Sequence, residues 1–167
     1  CYNLSNVTIP ESVTAIKSYA FYGCRSLNKI EIPKSMQEID HHAFSECSSL
    51  VSLIIPENVT SIGVSAFEYC SNLNNISIPE SVTAIGYSVF EGCSSLSDIY
   101  YTGSEEQWSA ISIGTDNDPL TEAAIHFNSE MPGETSSEQG LHIYTDVPSR
   151  IVTVEDTFSV GAVMIDE

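Results

Sequence analysis

Apolar residues return along this chain at one fixed interval. Cysteines stand at 1, 24, 47, 70 and 93, and phenylalanines at 21, 44, 67 and 90, always 23 residues apart. Counting each cysteine as position 1 of a unit, Leu4, Leu27, Leu50, Leu73 and Leu96 hold position 4. Val7, Ile30, Leu53, Ile76 and Ile99 hold position 7, and Ile9, Ile32, Ile55, Ile78 and Tyr101 hold position 9. Val13, Met36, Val59 and Val82 hold position 13, and Ile16, Ile39, Ile62 and Ile85 hold position 16. The columns between them are mostly small, polar or charged. A period of this size identifies a stacked repeat, because one unit cannot bury its apolar side alone and its neighbours must do so.

Each unit predicts the same elements. Leu-x-x-Ile-x-Ile alternates in its second half, which predicts a strand with one buried face. Pro10, Pro33, Pro56 and Pro79 follow that strand and end it, since proline cannot donate a ladder hydrogen bond. Ser-Val-Thr-Ala-Ile at 12–16 predicts a short extended stretch. Ser-Tyr-Ala-Phe-Tyr-Gly-Cys at 18–24 predicts one helical turn, closed by Gly23 and, in a later unit, by Gly92. The period dissolves after Thr102, where proline is expected. Glu105–Ile113 then predicts a short amphipathic helix with Trp108 turned inward, and 123–127 a final strand. These form a lid over the last apolar layer. The expected organisation is a solenoid with its cap over 1–128, the cap taking 103–128. A linker by composition follows over 129–140, then a β-rich tail over 141–167.

The unit C-x-x-L-x-x-I-x-I-P-x-S-V-T-x-I-x-x-x-A-F, in phase over residues 1–102, resembles the leucine-rich repeat of the BspA-like family. That family is found on surfaces of anaerobic bacteria and some protists. The run from Tyr100 to Ile111 is similar to the cap of such arrays. The resemblance implies an α/β repeat: a right-handed, curved leucine-rich-repeat solenoid with a parallel sheet on its concave side. The tail, with Ile151, Val152, Val154, Phe158, Val160 and Val163, weakly resembles the start of a bacterial immunoglobulin-like module. Such a domain needs about 100 residues, so this tail is read as its truncated opening.

Charge narrows the partners. Five Lys and Arg face 23 Asp and Glu, a net charge of −18. Nucleic acid and anionic lipid would be repelled. No run of 18 apolar residues exists to insert in a membrane. The chain opens on Cys1, with no initiator Met and no export signal, so a fragment of a longer, exported protein is expected.

Candidate chemistry is sparse. The in-line spacing of the cysteines predicts a ladder of buried, reduced thiols acting as small hydrophobes, with Cys1 at the open end the reactive one. No metal site is expected, because a one-per-coil ladder does not converge. His41, His42, His126 and His142 read as structural or incidental. No nucleophile, base and orienting group converge, so no catalysis and no cofactor are expected. Asp116-Asn117-Asp118 could ligate Ca²⁺ but reads first as turn residues before Pro119. Four Asn-x-Ser/Thr sequons recur because the repeat recurs and carry little weight.

The surface left over is the outward face of the predicted sheet. Its candidate partner-binding residues are Lys29, Glu31, Ser52, Ile54, Asn75, Ser77, Asp98 and Tyr100. The expected function is a non-catalytic adhesion or binding module of a secreted or cell-surface protein. Its expected ligand is a protein or polysaccharide on a host or neighbouring cell. The alternative is a structural spacer or accessory module that positions a neighbouring catalytic or anchoring domain. Self-association would run through the truncated first coil or the β tail.

Overall fold

The computed structural model describes residues 2–132 and the backbone of 151–152 and 163–164. The chain forms two compact units, Cys1–Met131 and Pro132–Glu167. In the first, strands and helices follow in the order β1 (Ala15–Ile16), β2 (Glu38–Ile39), β3 (Ser52–Ile54), β4 (Ser61–Ile62), β5 (Asn75–Ile78), β6 (Ala84–Ile85), β7 (Asp98–Tyr101), α1 (Glu105–Ser109), β8 (Ser112–Ile113), α2 (Asp118–Glu122) and β9 (Ala124–Phe127). They build two parallel sheets. The wide one runs β3-β5-β7-β9 and the narrow one β1-β2-β4-β6-β8. Each residue pairs with its equivalent one unit on: Leu53 with Ile76, Ile76 with Ile99, Ile62 with Ile85. The first unit is therefore a parallel β-solenoid, and each of its turns before the cap is one sequence unit.

Proline marks the corner between the two sheets. Val13, Met36, Val59 and Val82 each donate their N–H to the carbonyl of the proline three residues back, at 3.0–3.1 Å. At the opposite corner Leu27, Leu50, Leu73 and Leu96 do the same to the preceding cysteine, at 2.9–3.0 Å. The hydroxyls of Ser35 and Ser81 donate to the Val13 and Val59 carbonyls one coil back, at 2.8 and 2.7 Å.

The segment expected to form one helical turn does not. Its N–H groups alternate in direction. Ala20, Tyr22 and Cys24 donate within the coil, three residues back. Tyr19, Phe21 and Gly23 donate across to His41, Ala43 and Ser45 of the next coil, at 2.8–3.1 Å. The alternation requires left-handed backbone at two positions per unit. Tyr19, His42, Ser65 and Ser88 take one, with φ of 52–62°, and Gly23, Glu46, Tyr69 and Gly92 the other. A non-glycine residue there costs about 1 kcal/mol, and the inter-coil hydrogen bonds offset it. Helix formation would forfeit every one of those bonds.

Inside, the columns become ladders. Phe21, Phe44, Phe67 and Phe90 stack with centroids 5.2, 5.6 and 5.8 Å apart and planes within 18°. Cys24, Cys47, Cys70 and Cys93 are free and buried beside them. The thiols of Cys47, Cys70 and Cys93 donate to the carbonyls of Phe21, Phe44 and Phe67 one coil back, at 3.1–3.2 Å. The same carbonyls accept the backbone N–H of Cys24, Cys47 and Cys70. A cysteine thus fills the volume of a small hydrophobe and supplies the second donor that a buried carbonyl can use. Burial pushes the Cys47 and Cys93 thiols up to about 12, and Cys70 well above its ordinary value. In the first coil Leu4, Val7, Ile9, Val13 and Phe21 pack on this core but are only partly buried.

The cap is a modified coil. The expected helix over Glu105–Ile113 ends at Ser109, and Ser112–Ile113 returns to the narrow sheet as β8, beside β6. Ser104 starts α1 with a reciprocal cap: its Oγ accepts the Gln107 N–H, and the Gln107 side chain accepts the Ser104 N–H. Trp108 turns inward as expected and meets the Tyr101 ring edge-on at 5.0 Å. The final strand β9 pairs with β7 in the wide sheet.

Asn117 closes the turn side. In earlier coils Phe21, Phe44 and Phe67 donate their N–H to a backbone carbonyl of the next coil. Phe90 donates instead to the Asn117 side-chain oxygen, at 3.1 Å. The Asn117 amide nitrogen donates to the Gly86 and Gly114 carbonyls, both at 2.9 Å. One buried side chain replaces part of the backbone of a further coil, so the Ca²⁺ reading of this run gives way to a structural one.

In the second unit, β10 (Ile151–Val152) and β11 (Val163–Met164) pair antiparallel. The rest of the expected tail, its immunoglobulin-like resemblance, His142 and most of the linker lie outside the described residues, as does Cys1.

Phe44→Ala removes a buried ring from the middle of the stack and is expected to cost about 3–5 kcal/mol. Asn117→Ala strands the Phe90 N–H and two carbonyls and is expected to cost about 1–3 kcal/mol. Urea unfolding followed by circular dichroism measures both. A loss under about 1 kcal/mol for Phe44→Ala contradicts a stacked, buried ring.

Candidate binding faces

The wide sheet turns alternate residues outward. Position 8 of the unit gives the row Ile54, Ser77, Tyr100 and His126, paired strand to strand. Position 6 gives Ser52, Asn75, Asp98 and Ala124. Before β3 the same columns hold Lys29 and Glu31, where Glu31 bridges to Thr8 of the first coil. The structure thus places all eight candidate residues in two neighbouring columns.

They are not equivalent. Lys29 and Glu31 are exposed and pair at 3.6 Å, an exposed contact worth little. Ser77 is a correction to the expected outward row. It is 5% exposed, because the larger side chains of Ile54 and Tyr100 flank it in register, so it forms a floor and not a contact. Asn75 carries a buried side-chain oxygen with no hydrogen-bond partner among the described residues.

The C-terminal end of the face holds a polar cluster. The His126 ring nitrogen Nε2 lies 2.8 Å from Asp98 Oδ1. The imidazole stacks on the Tyr100 ring at 4.8 Å, with planes 15° apart. The Ser97 hydroxyl donates to the other Asp98 oxygen at 2.6 Å. The Ser97 bond first, and the His126 bond second, hold the Asp98 carboxyl below its ordinary value. The result is a half-exposed aromatic platform beside a fixed carboxylate. Sequence reasoning set His126 aside. The signal was present, since the expected strand at 123–127 extends the columns of Asp98 and Tyr100 by one coil.

The turn side carries a second feature. Tyr19, Tyr22, Tyr69 and Tyr87 are exposed there, with Tyr2 close by in the chain's first coil. Tyr19 stacks on His42 at 4.8 Å. The Tyr22 hydroxyl donates to Glu46 at 2.7 Å, and Arg25 pairs with the same carboxylate. Arg25 first, then Tyr22, hold Glu46 below its ordinary value. The Tyr69 ring lies on Gly92, where an added Cβ would meet the ring at 2.3 Å; the φ of Gly92 is +72° as well. His41 accepts the Val64 N–H through Nδ1, which gives it a structural role. Among the described residues no group of three or more His, Cys, Asp or Glu is placed to hold a metal ion. Among them, too, no helix is long and apolar enough to cross a membrane.

A parallel solenoid with leucine and isoleucine columns and an outward strand face defines a leucine-rich repeat protein. The chain belongs to the BspA type leucine-rich repeat family, whose repeat matches residues 1–112 in six copies. It is similar to a leucine-rich cell surface protein of Faecalibacterium prausnitzii A2-165, at 35% identity and a TM-score of 0.58, covering 64% of this chain and 34% of that one. It is also similar to a leucine-rich repeat protein of Bacteroides ovatus ATCC 8483, at 31% identity and a TM-score of 0.55, covering 68% and 28%. A leucine-rich repeat protein of T. pallidum aligns at 25% identity with a TM-score of 0.50, covering 65% and 68%. The chain spans about a third of the length of the first two. No curated protein matches it.

Asp98 is expected to titrate below its ordinary range. Its stabilising contribution is present above the unfolded value near 3.8 and is lost as pH falls through the lower folded value. Carbon-13 NMR of the aspartate carboxyls checks this. Ser97→Ala is expected to raise the Asp98 titration further than His126→Gln does. An unmoved titration in both variants contradicts the assigned hydrogen bonds.

Proposed function

We propose that this chain is a non-catalytic binding module of a secreted or cell-surface protein, and that the outward face of its wide sheet makes the contact. The observation that carries this reading is the in-register row of outward side chains ending in the Asp98–His126–Tyr100 cluster. Apart from the buried Ser77, repeat packing does not need these groups, because the core columns alternate with them. A parallel sheet offers an extended partner evenly spaced contacts, one coil about 4.8 Å from the next. Tyr100 and His126 supply a flat ring surface, and Asp98 an oriented acceptor. An exposed protein strand or a polysaccharide chain on a host or neighbouring cell fits that geometry. The similarity to a cell surface protein supports the location.

The test is a binding assay of the whole chain against immobilised extracellular proteins and cell-wall polysaccharides, with Ile54→Asp and Tyr100→Ala as variants. Capture at micromolar concentration is expected, with each variant reducing it about ten-fold, the scale of one central contact. Capture that both variants leave intact contradicts the assigned face. If changing repeat number alters the parent protein's activity while both variants leave it unchanged, the module is a spacer.

A further inference from the structure

The turn side is built differently from the wide sheet. Tyr19, Tyr22, Tyr69 and Tyr87 lie there, with Tyr2 beside Arg25, and the five are 45–70% exposed. Tyr19 and Tyr22 meet edge to face at 5.7 Å, so part of this surface is a contiguous aromatic patch, the kind that marks an interaction site. Glu46 stands in the column of Tyr69, and Glu68 and Glu91 stand in the column of Tyr22. We propose that this ridge docks an arginine-bearing segment of a protein partner, at a surface separate from the wide-sheet face.

The first coils show the grip already occupied. The Arg25 guanidinium sits over the Tyr2 ring, 5.6 Å from its centroid. It pairs with the Glu46 carboxylate, which also accepts the Tyr22 hydroxyl. Ring face and carboxylate together hold one guanidinium, the arrangement that suits its flat, multiply donating shape. Later coils lose both the cation and the ring of the Tyr2 position, and carry other exposed tyrosines, Tyr69 and Tyr87, with the carboxylates of Glu68 and Glu91 at neighbouring positions of the unit. The column of Arg25 continues as Ser48, Ser71 and Ser94. No Lys or Arg occurs anywhere between Lys34 and Arg150.

The later coils are also pre-arranged. The Tyr69 N–H donates to the Glu91 carbonyl at 2.7 Å, which fixes these two residues side by side. The Tyr69 ring rests on Gly92 and remains 50% exposed. Tyr87 stands on the turn that carries Glu91 and Gly92, its carbonyl bound by the Ser65 N–H at 2.9 Å, and the residue is 60% exposed. A neutral sugar would use the rings but not the acids. The net charge of −18 attracts a basic partner and steers its approach.

The experiment measures fluorescence anisotropy of the whole chain with two probes of equal charge at physiological ionic strength. One is a disordered Arg-Ser repeat peptide and the other its Lys-Ser counterpart. The arginine peptide is expected to bind tighter. Tyr69→Ala and Tyr87→Ala are each expected to weaken it about two- to five-fold, the range of an exposed cation–π contact. Glu91→Gln, which leaves both rings in place, is expected to weaken it as well. Glu57→Gln, beside the proline corner, is expected to change nothing. Equal affinity for the two peptides, with both tyrosine variants silent, overturns the proposal and leaves only net charge. Capture of a neutral glucan through the same tyrosines, with no arginine preference, also overturns it and makes the ridge a polysaccharide surface. Neither outcome bears on the Ile54 and Tyr100 variants, so the two faces are judged separately.

Discussion

Every coil of this solenoid depends on the coil beside it for both its hydrogen bonds and its burial. The N–H of Phe44 finds its acceptor on Ala66 of the next coil, and the thiol of Cys70 finds its acceptor on Phe44 of the one before. The ring of Phe44 is covered by Phe21 on one side and Phe67 on the other. A buried backbone group without a partner costs about as much as the hydrogen bond itself. A 23-residue register therefore cannot drift: a shift by one residue would break all three relations at once. The identity of the repeated columns follows from that constraint.

The same dependence explains the two ends. In the first coil Ile16 is buried, whereas Leu4, Val7, Ile9, Val13 and Phe21 are only partly so. At the other end the chain supplies substitutes for a missing neighbour. Asn117 stands in for backbone, and Trp108 seals the edge of Tyr101. What stacking does not require is left free to vary, and that freedom falls on two sides. On the wide sheet it yields a mixed polar row with an aromatic end, and on the turn side a ridge of tyrosines and carboxylates.

The core was legible because it is periodic. Cysteine, phenylalanine, leucine and isoleucine columns could be read off spacing, and from the third coil on they are buried. The turn side was not. Ala-Phe flanked by tyrosines suits a helix locally, and only two of the four units place Gly at the left-handed position before the cysteine. At the other left-handed position stand Tyr19, His42, Ser65 and Ser88, none of which signals such a backbone. Inter-coil hydrogen bonds decide that conformation, and they are invisible in a single unit. Ser77 and Asn117 escaped for a related reason. The burial of one depends on the size of Ile54 and Tyr100 in neighbouring strands, and the role of the other on a free Phe90 N–H. The outward row itself was readable by alternation, but its polar cluster needed His126 from the cap.

The most direct measurement of the central claim is the reactivity of the stacked thiols. In a Cys1→Ser background, alkylation at pH 8 is followed by mass spectrometry while urea is raised. Burial holds the Cys47 and Cys93 thiols at about 12 and Cys70 well above its ordinary value, so almost none of these three is thiolate while the chain is folded. The expected result is no modification of these three until the fold is lost, then reaction of all three in one transition that coincides with circular dichroism. Modification of any of them in the folded chain at the rate of a free thiol would contradict the continuous stacked interior.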